Sequence, residues 1–329
     1  MPSVRIRDMP TEKPTKRRKK RSRDSALGRM RNHIADGFVR TLTATARCLP
    51  YGARVRFFGW ASARLIGPLI RVPRAYRASL SQMFPDFSAQ KIAQTATTIS
   101  DHSGRSLIEM YSGEDFLERV RALPLEGDGV AAILSARDAG RPLVFATAHY
   151  GNYNAARAAV VANGFGLAAL YRPASNKLLN RHYVKALAAV GGHLFPRNRT
   201  GLTGLVRHLK GGKPIMVLFD LHVTKGEALG FFGRRTMTSL SPAELALRHD
   251  ALLVPFYGTR LDDGLSFRVE IDAPIPHSTP ETMMQALNDG LEARIRANPE
   301  QWFYLHKRWK LLRGAQQRQT PPTAPDRIS

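Results

Sequence analysis

Residues 141–151, RPLVFATAHYG, decide the fold. An apolar run follows Pro142, then stops on small and polar residues. A short continuous run of this kind reads as a strand buried on both faces, placed here over residues 142–147. The next stretch, NYNAARAAVVAN, is helical in composition. FGLAALYRP is a second strand, halted before Pro173. Residues 176–190 form a helix, GGHLFPRNR starts with a short strand, and GLTGLVRHLKGG is a helix with a glycine terminus. KPIMVLFD is a strong strand ending at Asp220. SPAELALRH opens a helix with Ser241 as cap and Pro242 in its first turn. ALLVPFYGTR and LSFRVEIDA are strands, and ETMMQALNDGLEARIRANP is a long amphipathic helix. This alternation predicts an α/β fold with a central, mostly parallel or mixed sheet flanked by helices.

Toward the N-terminus the pattern is helical. Residues 88–111 carry helical spacing with Ser88 as a cap; His102, Arg105 and Glu109 either reach a cleft or form a surface network. LPLEGDG is a junction. Residues 27–80 are dense in apolar side chains, yet Arg recurs at 40, 47, 54, 56, 64 and 71. The spacing of seven places Arg40, Arg47 and Arg54 on one helical face. Pro50, Pro68 and Pro73 divide the segment into short helices. With Phe57, Phe58 and Trp60 beside the arginines, the mix suits amphipathic helices lying in a bilayer interface; the plainer reading is a pair of helices packed on the core. Residues 1–26 are read as a disordered basic tail, either a tether to anionic lipid or a nucleic-acid arm, and residues 313–329 as a second disordered tail.

Composition narrows the function classes. The 329 residues hold 50 Lys+Arg against 26 Asp+Glu, a formal charge of +24, which favours an anionic partner. Cys48 is the single cysteine, so no intramolecular disulfide and no cysteine metal cluster can form. The N-terminal segment does not read as a secretory signal, and no run of 18 apolar residues supports a spanning helix. His102, His149, His193, His208 and His222 show no metal-ligand spacing, so no metal is expected.

His149 is the leading candidate for chemistry. It ends the first strong strand, where open α/β sheets gather functional groups. Gly151 permits close approach, and the following helix start offers unpaired N–H groups. An imidazole can serve as general base, normally oriented by a carboxylate. The adjacent motif has none: Asn154 stands five residues on and can hydrogen-bond without carrying charge.

The stretches SDHSGRSLIEMY, ATAHYGNYN, LYRPASNKLLN, LFPRNRTGL, KGGKPIMVLFD, FFGRRTMTSLSPAELALRHDALLVPFYGTR and NPEQWFYLHKRWK together resemble the bacterial lipid A biosynthesis late acyltransferases, the lauroyl/myristoyl group. The resemblance covers roughly residues 30–312 and rests on the order and spacing of its motifs. It implies a glycerolipid-acyltransferase-like α/β domain over residues 81–312. It implies an enzyme on the cytoplasmic face of the inner membrane, moving a fatty acyl chain from acyl carrier protein to a hydroxyl of a lipid A precursor. No bound cofactor is implied, acyl-acyl carrier protein being the donor, and no nucleic-acid partner is expected.

Under that resemblance His149 matches the catalytic His. Asn154 falls where the family has its acidic partner, so the usual dyad is broken. Three outcomes follow: another carboxylate, Asp220 or Glu244, takes the role; Asn154 suffices as orienter; or the chain is a silent lipid-binding relative. The departure also leaves room for another lysolipid or an aminolipid as acceptor. Arg172 in YRP matches an arginine expected to bind substrate phosphate or steady an oxyanion, with Arg197 and Arg199 offering a second anion site. Asp220 matches the first acid of a short acidic element, and His222 is an additional candidate base. Phe231, Phe232 and Gly233 resemble the FFG turn, whose rings would line an acyl groove. Trp302 and Tyr304 would suit a headgroup-level interface or pack on the sheet.

Overall fold

The computed structural model describes residues 26–304, 308 and 309; apart from Ala26, the expected tails over 1–26 and 313–329 lie outside the described residues. The chain opens with α1 (Ala26–Arg47) and α2 (Tyr51–Ala61), the latter continued by a π-helical stretch, Ser62–Ile66, and a last turn, Gly67–Leu69. Then come α3 (Val72–Met83), α4 (Ala89–Tyr111) and α5 (Glu114–Arg121). Prolines set the breaks: Pro50 is the N-cap of α2, and Pro68 and Pro73 occupy first-turn positions where a missing N–H is harmless. Ser88 caps α4 by accepting from the Lys91 N–H at 3.2 Å.

The break at Pro50 overturns the shared face expected of Arg40, Arg47 and Arg54. Arg47 ends α1 and donates to the Tyr111 carbonyl at 3.4 Å. Arg54 belongs to a different helix, is buried, and is ion-paired with Asp115.

The junction holds β1 (Leu125–Glu126), followed by α6 (Val130–Asp138), β2 (Leu143–Thr147), α7 (Tyr153–Ala162), β3 (Ala168–Tyr171), α8 (Lys177–Ala189), β4 (His193–Pro196), α9 (Arg199–Lys210) and β5 (Ile215–Leu218). A hairpin of β6 (Glu227–Phe231) and β7 (Arg234–Thr238) precedes α10 (Ser241–Arg248), β8 (Leu252–Arg260), β9 (Phe267–Ile271) and α11 (Pro280–Ala297). The sheet is seven-stranded and mixed, in the order β1-β9-β8-β2-β5-β3-β4. β8, β2, β5, β3 and β4 run parallel, while β9 is antiparallel to β8.

Period-two alternation sorts the core into layers. Val144 and Ala146 of β2 join Ile215, Leu253 and Tyr257 in one cluster with α3, α4, α10 and α11. Leu143 and Phe145 face the other way, against Met216, Val254, Phe256 and the apolar sides of α6 and α7. Both faces of β2 are therefore covered, which is why its sequence reads as a continuous apolar run. A third cluster, built on Tyr51, Val55, Ile108 and Phe116, joins α2, α4 and α5 to α7.

Two expectations needed correction. Leu240 is the N-cap of α10, and Ser241 lies inside its first turn. Ser239, one residue before that N-cap, accepts the Ser241 N–H at 3.3 Å. The hairpin was foreseen only as a tight turn at Gly233. There Phe232 and Gly233 take φ of 52° and 66°, the paired left-handed geometry of a two-residue hairpin loop. Phe232 tolerates it because its N–H is held by the Glu292 carboxylate.

Connections around β2 and β5 place the site. The chain leaves β2 through α7, on one face, toward β3; it leaves β5 through the hairpin and α10, on the opposite face, toward β8. Neighbouring parallel strands whose connections diverge open a crevice at their carboxyl ends.

Candidate active site

His149 and Asp220 meet in that crevice. One follows β2 by two residues, the other follows β5 by two. Asp220 Oδ1 lies 2.9 Å from His149 Nδ1, and Oδ2 accepts the His149 backbone N–H at 2.9 Å. The same Oδ2 accepts the Trp302 indole N–H at 2.9 Å. Asp220 is fully buried, and burial alone would raise its pKa. Attraction to the His149 ring in its protonated form, with the hydrogen bonds from His149 and Trp302, outweighs burial and holds the carboxyl well below the usual carboxylate range. Nδ1–H toward an ionised Asp220 puts the imidazole lone pair on Nε2. The His149 side chain keeps 19% exposure, so the ring is shielded without being sealed.

The loop carrying His149 is clamped on two sides. Gly151 takes φ 54°, and a Cβ there would lie 2.0 Å from the Gly258 carbonyl oxygen, so only glycine fits. The Asn152 N–H donates to that carbonyl at 2.8 Å. On the other side, Gly151 N–H donates to the Gln301 carbonyl at 2.7 Å, and Phe303 N–H donates to the His149 carbonyl at 2.9 Å. Residues 301–303 thus form a strap across the loop, and Trp302 is its link to Asp220. Arg308 fixes the second half of the pair, donating to the carbonyls of Phe219 (3.4 Å) and Leu221 (2.9 Å), which flank Asp220.

Behind the loop lies a buried polar network. Asn152 Oδ1 caps α7 by accepting from the N–H groups of Asn154 and Ala155, at 3.0 and 3.2 Å. Its Nδ2 donates to Glu109 at 2.8 Å. Arg260 grips the Glu109 carboxylate through both terminal nitrogens, at 2.6 and 2.7 Å. Of the two readings offered for Glu109, neither a cleft nor a surface network fits: it is wholly buried. His102, on the same helix, rests its Nδ1 3.2 Å from the Glu300 carbonyl oxygen. Burial, aided by the Arg260 charge, lowers its pKa to about 4. The folded protein therefore resists protonating His102 until about pH 4, whereas the unfolded chain takes that proton near pH 6.5. Stability is expected to fall by up to roughly 3 kcal/mol as the pH drops through that window. Urea unfolding across the window checks this, and His102→Gln should flatten the slope; an unchanged slope would refute it.

The structure does not bring Asn154 to His149. Asn154 sits in the first turn of α7, buried, with Oδ1 lacking a hydrogen-bond partner among the described residues. The orienting role foreseen for it is thus corrected: the carboxylate at the imidazole is Asp220. Glu244, the other carboxylate considered, is exposed on α10. His222 is partly buried, its Nδ1 without a partner among the described residues. Phe231 and Phe232 are core residues: Phe231 packs against Trp302 at 5.7 Å between centroids and Phe232 against Phe84 at 5.5 Å. Both rings are buried, where they were expected to line a groove, and Phe231 backs Trp302 of the strap. Trp302 and Tyr304 are likewise buried, which settles their packing in the core.

The bacterial lipid A biosynthesis acyltransferase model matches residues 28–311, most of the chain. The chain belongs to that family. Among curated proteins, it is similar to the phosphatidylinositol mannoside acyltransferase of Mycolicibacterium smegmatis, 28% identical over 179 residues, which cover 53% of this chain and 59% of that protein. It is also similar to the phosphatidylinositol mannoside acyltransferase of Mycobacterium tuberculosis, 23% identical over 185 residues, covering 55% of this chain and 58% of that one. The chain thus spans less than two thirds of the length of the curated relatives it matches.

Within this family member the remaining candidates lie along one edge of the sheet. Arg172 follows β3 and Arg197 and Arg199 follow β4 or open α9, all three exposed. Because β2, β5, β3 and β4 are parallel and adjacent in that order, these arginines extend outward from the His149–Asp220 crevice on the carboxyl edge. Trp302 and Arg308 were missed as site residues. Their signal in the sequence was an aromatic-rich basic stretch, which reads equally well as a surface.

Proposed function

We propose that the chain is an acyl-carrier-protein-dependent O-acyltransferase acting on a phosphate-bearing membrane lipid, with a lipid A precursor as acceptor. The observation that carries this reading is the buried Asp220 carboxylate 2.9 Å from His149 Nδ1. It offers an acid in place of the one missing at Asn154, which favours an active enzyme over the silent-relative alternative.

In the reaction, His149 Nε2 takes the proton of the acceptor hydroxyl as its oxygen attacks the thioester carbonyl of the acyl carrier. Asp220 stabilises the imidazolium that forms. When the tetrahedral intermediate collapses, the C–S bond breaks and the imidazolium returns its proton to the departing thiolate. The product is a lipid ester and a free carrier thiol. Arg172, Arg197 and Arg199 hold the acceptor's phosphate beside the crevice or receive the acidic carrier. Gly233 shapes the hairpin that backs the strap, and Asn154 serves the packing of α7.

The location proposed is the cytoplasmic face of the inner membrane. No helix among the described residues is long and apolar enough to cross a membrane. Exposed Phe57, Trp60, Leu65 and Ile66 beside Arg56 and Arg64 suit contact with a bilayer surface instead.

A second reading has a specific observation behind it: the matched relatives are named for phosphatidylinositol mannosides. A mannosylated phospholipid would present both the hydroxyl and the phosphate that the same edge requires. Purified protein with labelled acyl carrier protein and a panel of acceptors decides between them. Transfer to a lipid A precursor, reduced about a thousandfold or more in His149→Ala, is the expected result. Transfer confined to a mannosylated or other lysolipid selects the second reading, and no transfer to any acceptor overturns both.

A further inference from the structure

A groove of about 1000 Å³ lies away from the His149 crevice, between α2's extension, the start of α3 and α4. Arg64, Arg71, Arg74 and Arg77 line it, with Gln94 and Thr97 on the α4 side, and no acidic residue takes part. Elsewhere arginines such as Arg54, Arg105 and Arg294 sit on carboxylates; among the described residues these four have no ion pair. Arg74 and Arg77 are three apart on α3 and share a face. Arg71 turns the chain into α3 with φ 60°, and no side chain caps that helix. Its first-turn N–H groups therefore add positive potential to the same groove.

The segment that supplies Arg64, Pro68 and Arg71 to the groove also carries exposed apolar side chains. Leu65, Ile66, Leu69 and Ile70 are all exposed, Leu69 at 83%. A cationic floor beside exposed aliphatic side chains matches a ligand that is anionic at one end and hydrocarbon at the other. We propose that this groove binds the phosphate of an anionic membrane phospholipid, with the exposed aliphatic side chains of the flanking Leu65–Ile70 segment entering the acyl region. The site is separate from the acceptor site proposed above, and it fixes how the protein sits on the bilayer.

Co-sedimentation of the full chain with phosphatidylcholine vesicles, with or without phosphatidylglycerol, at fixed ionic strength tests this. Arg71→Gln/Arg74→Gln should weaken binding to phosphatidylglycerol vesicles about thirtyfold, taking about 1 kcal/mol per arginine near an anionic surface. Arg71→Lys/Arg74→Lys keeps the charge but loses the planar fork, and should still weaken binding by about threefold or more. Arg207→Gln/Lys210→Gln, on exposed positions of α9, should stay within about twofold of the parent. Thermal unfolding verifies that each variant is folded. If the Lys pair binds like the parent, or the α9 pair loses as much as the Gln pair, attraction is diffuse and the groove assignment is wrong. Saturable binding of inorganic phosphate alone, abolished in the Gln pair, would assign the groove to a free anion and overturn the lipid assignment. His149→Ala should bind vesicles as the parent does, so failure of this proposal and failure of the catalytic one read out separately.

Discussion

Replacing Asp220 with Asn is expected to lower kcat by about 10³- to 10⁴-fold with KM little changed. The carboxylate accepts three donors: the His149 ring, the His149 backbone and the Trp302 indole. An amide has one acceptor oxygen, so satisfying the backbone and indole turns its NH₂ toward Nδ1. Nδ1 must then accept, the ring proton moves to Nε2, and the base has no lone pair to offer. The carboxyl of Asp220 is held well below the usual carboxylate range, so it stays ionised across the working range. Any stability it contributes through this shift is present above its unfolded pKa and is lost only as the pH falls through its depressed folded value. Asn154→Ala and Asn154→Glu are expected to change the rate little. A severe loss in Asn154→Ala beside near-normal Asp220→Asn would reverse the assignment. Steady-state kinetics on the three variants is sufficient.

Breaking the Glu109–Arg260 pair should have the largest effect on stability. Both side chains are buried, and the pair is bidentate. Removing one partner strands the other's charge in the core, which costs about 3–5 kcal/mol. Glu109→Gln and Arg260→Met are each expected to lose that much in urea unfolding. The double variant should lose clearly less than the sum, because no uncompensated charge remains. Glu109 also holds the Asn152 amide, so Glu109→Gln should loosen the start of α7 and depress kcat beyond what lost stability explains at low temperature. Additive losses, or a kcat unaffected in the folded variant, would show that the network does not reach the loop.

The sheet was legible because its strands are doubly covered. LVFAT and IMVL read as apolar runs since each side chain, odd or even, meets a helix layer. β1 was hidden because it has two residues and no periodicity. Arg54 misled for a related reason: regular spacing implies a common face only while the helix continues, and Pro50 ends it. The site was half legible. His149 announces itself by its position after a strong strand, and Asp220 by the same rule. That the two are partners depends on β2 and β5 being neighbours, which local sequence does not encode. Asn154, near in sequence, was the natural candidate, yet the first turn of α7 carries it into the interior. Glu109 and Arg260 come from distant elements and only packing joins them, as it alone brings Trp302 to Asp220.

The strap has a consequence for synthesis. His149 and Asp220 are 71 residues apart, and Trp302 follows Asp220 by a further 82. At about 5–20 residues per second, a ribosome finishes Asp220 roughly 4–16 s before it makes the indole that locks it. Throughout that interval the nascent chain holds a His149 loop with neither its Gln301 nor its Phe303 hydrogen bond. The reactive geometry is therefore complete only once residues 301–303 have been made, and a nascent chain that has not reached them carries the imidazole without its lock.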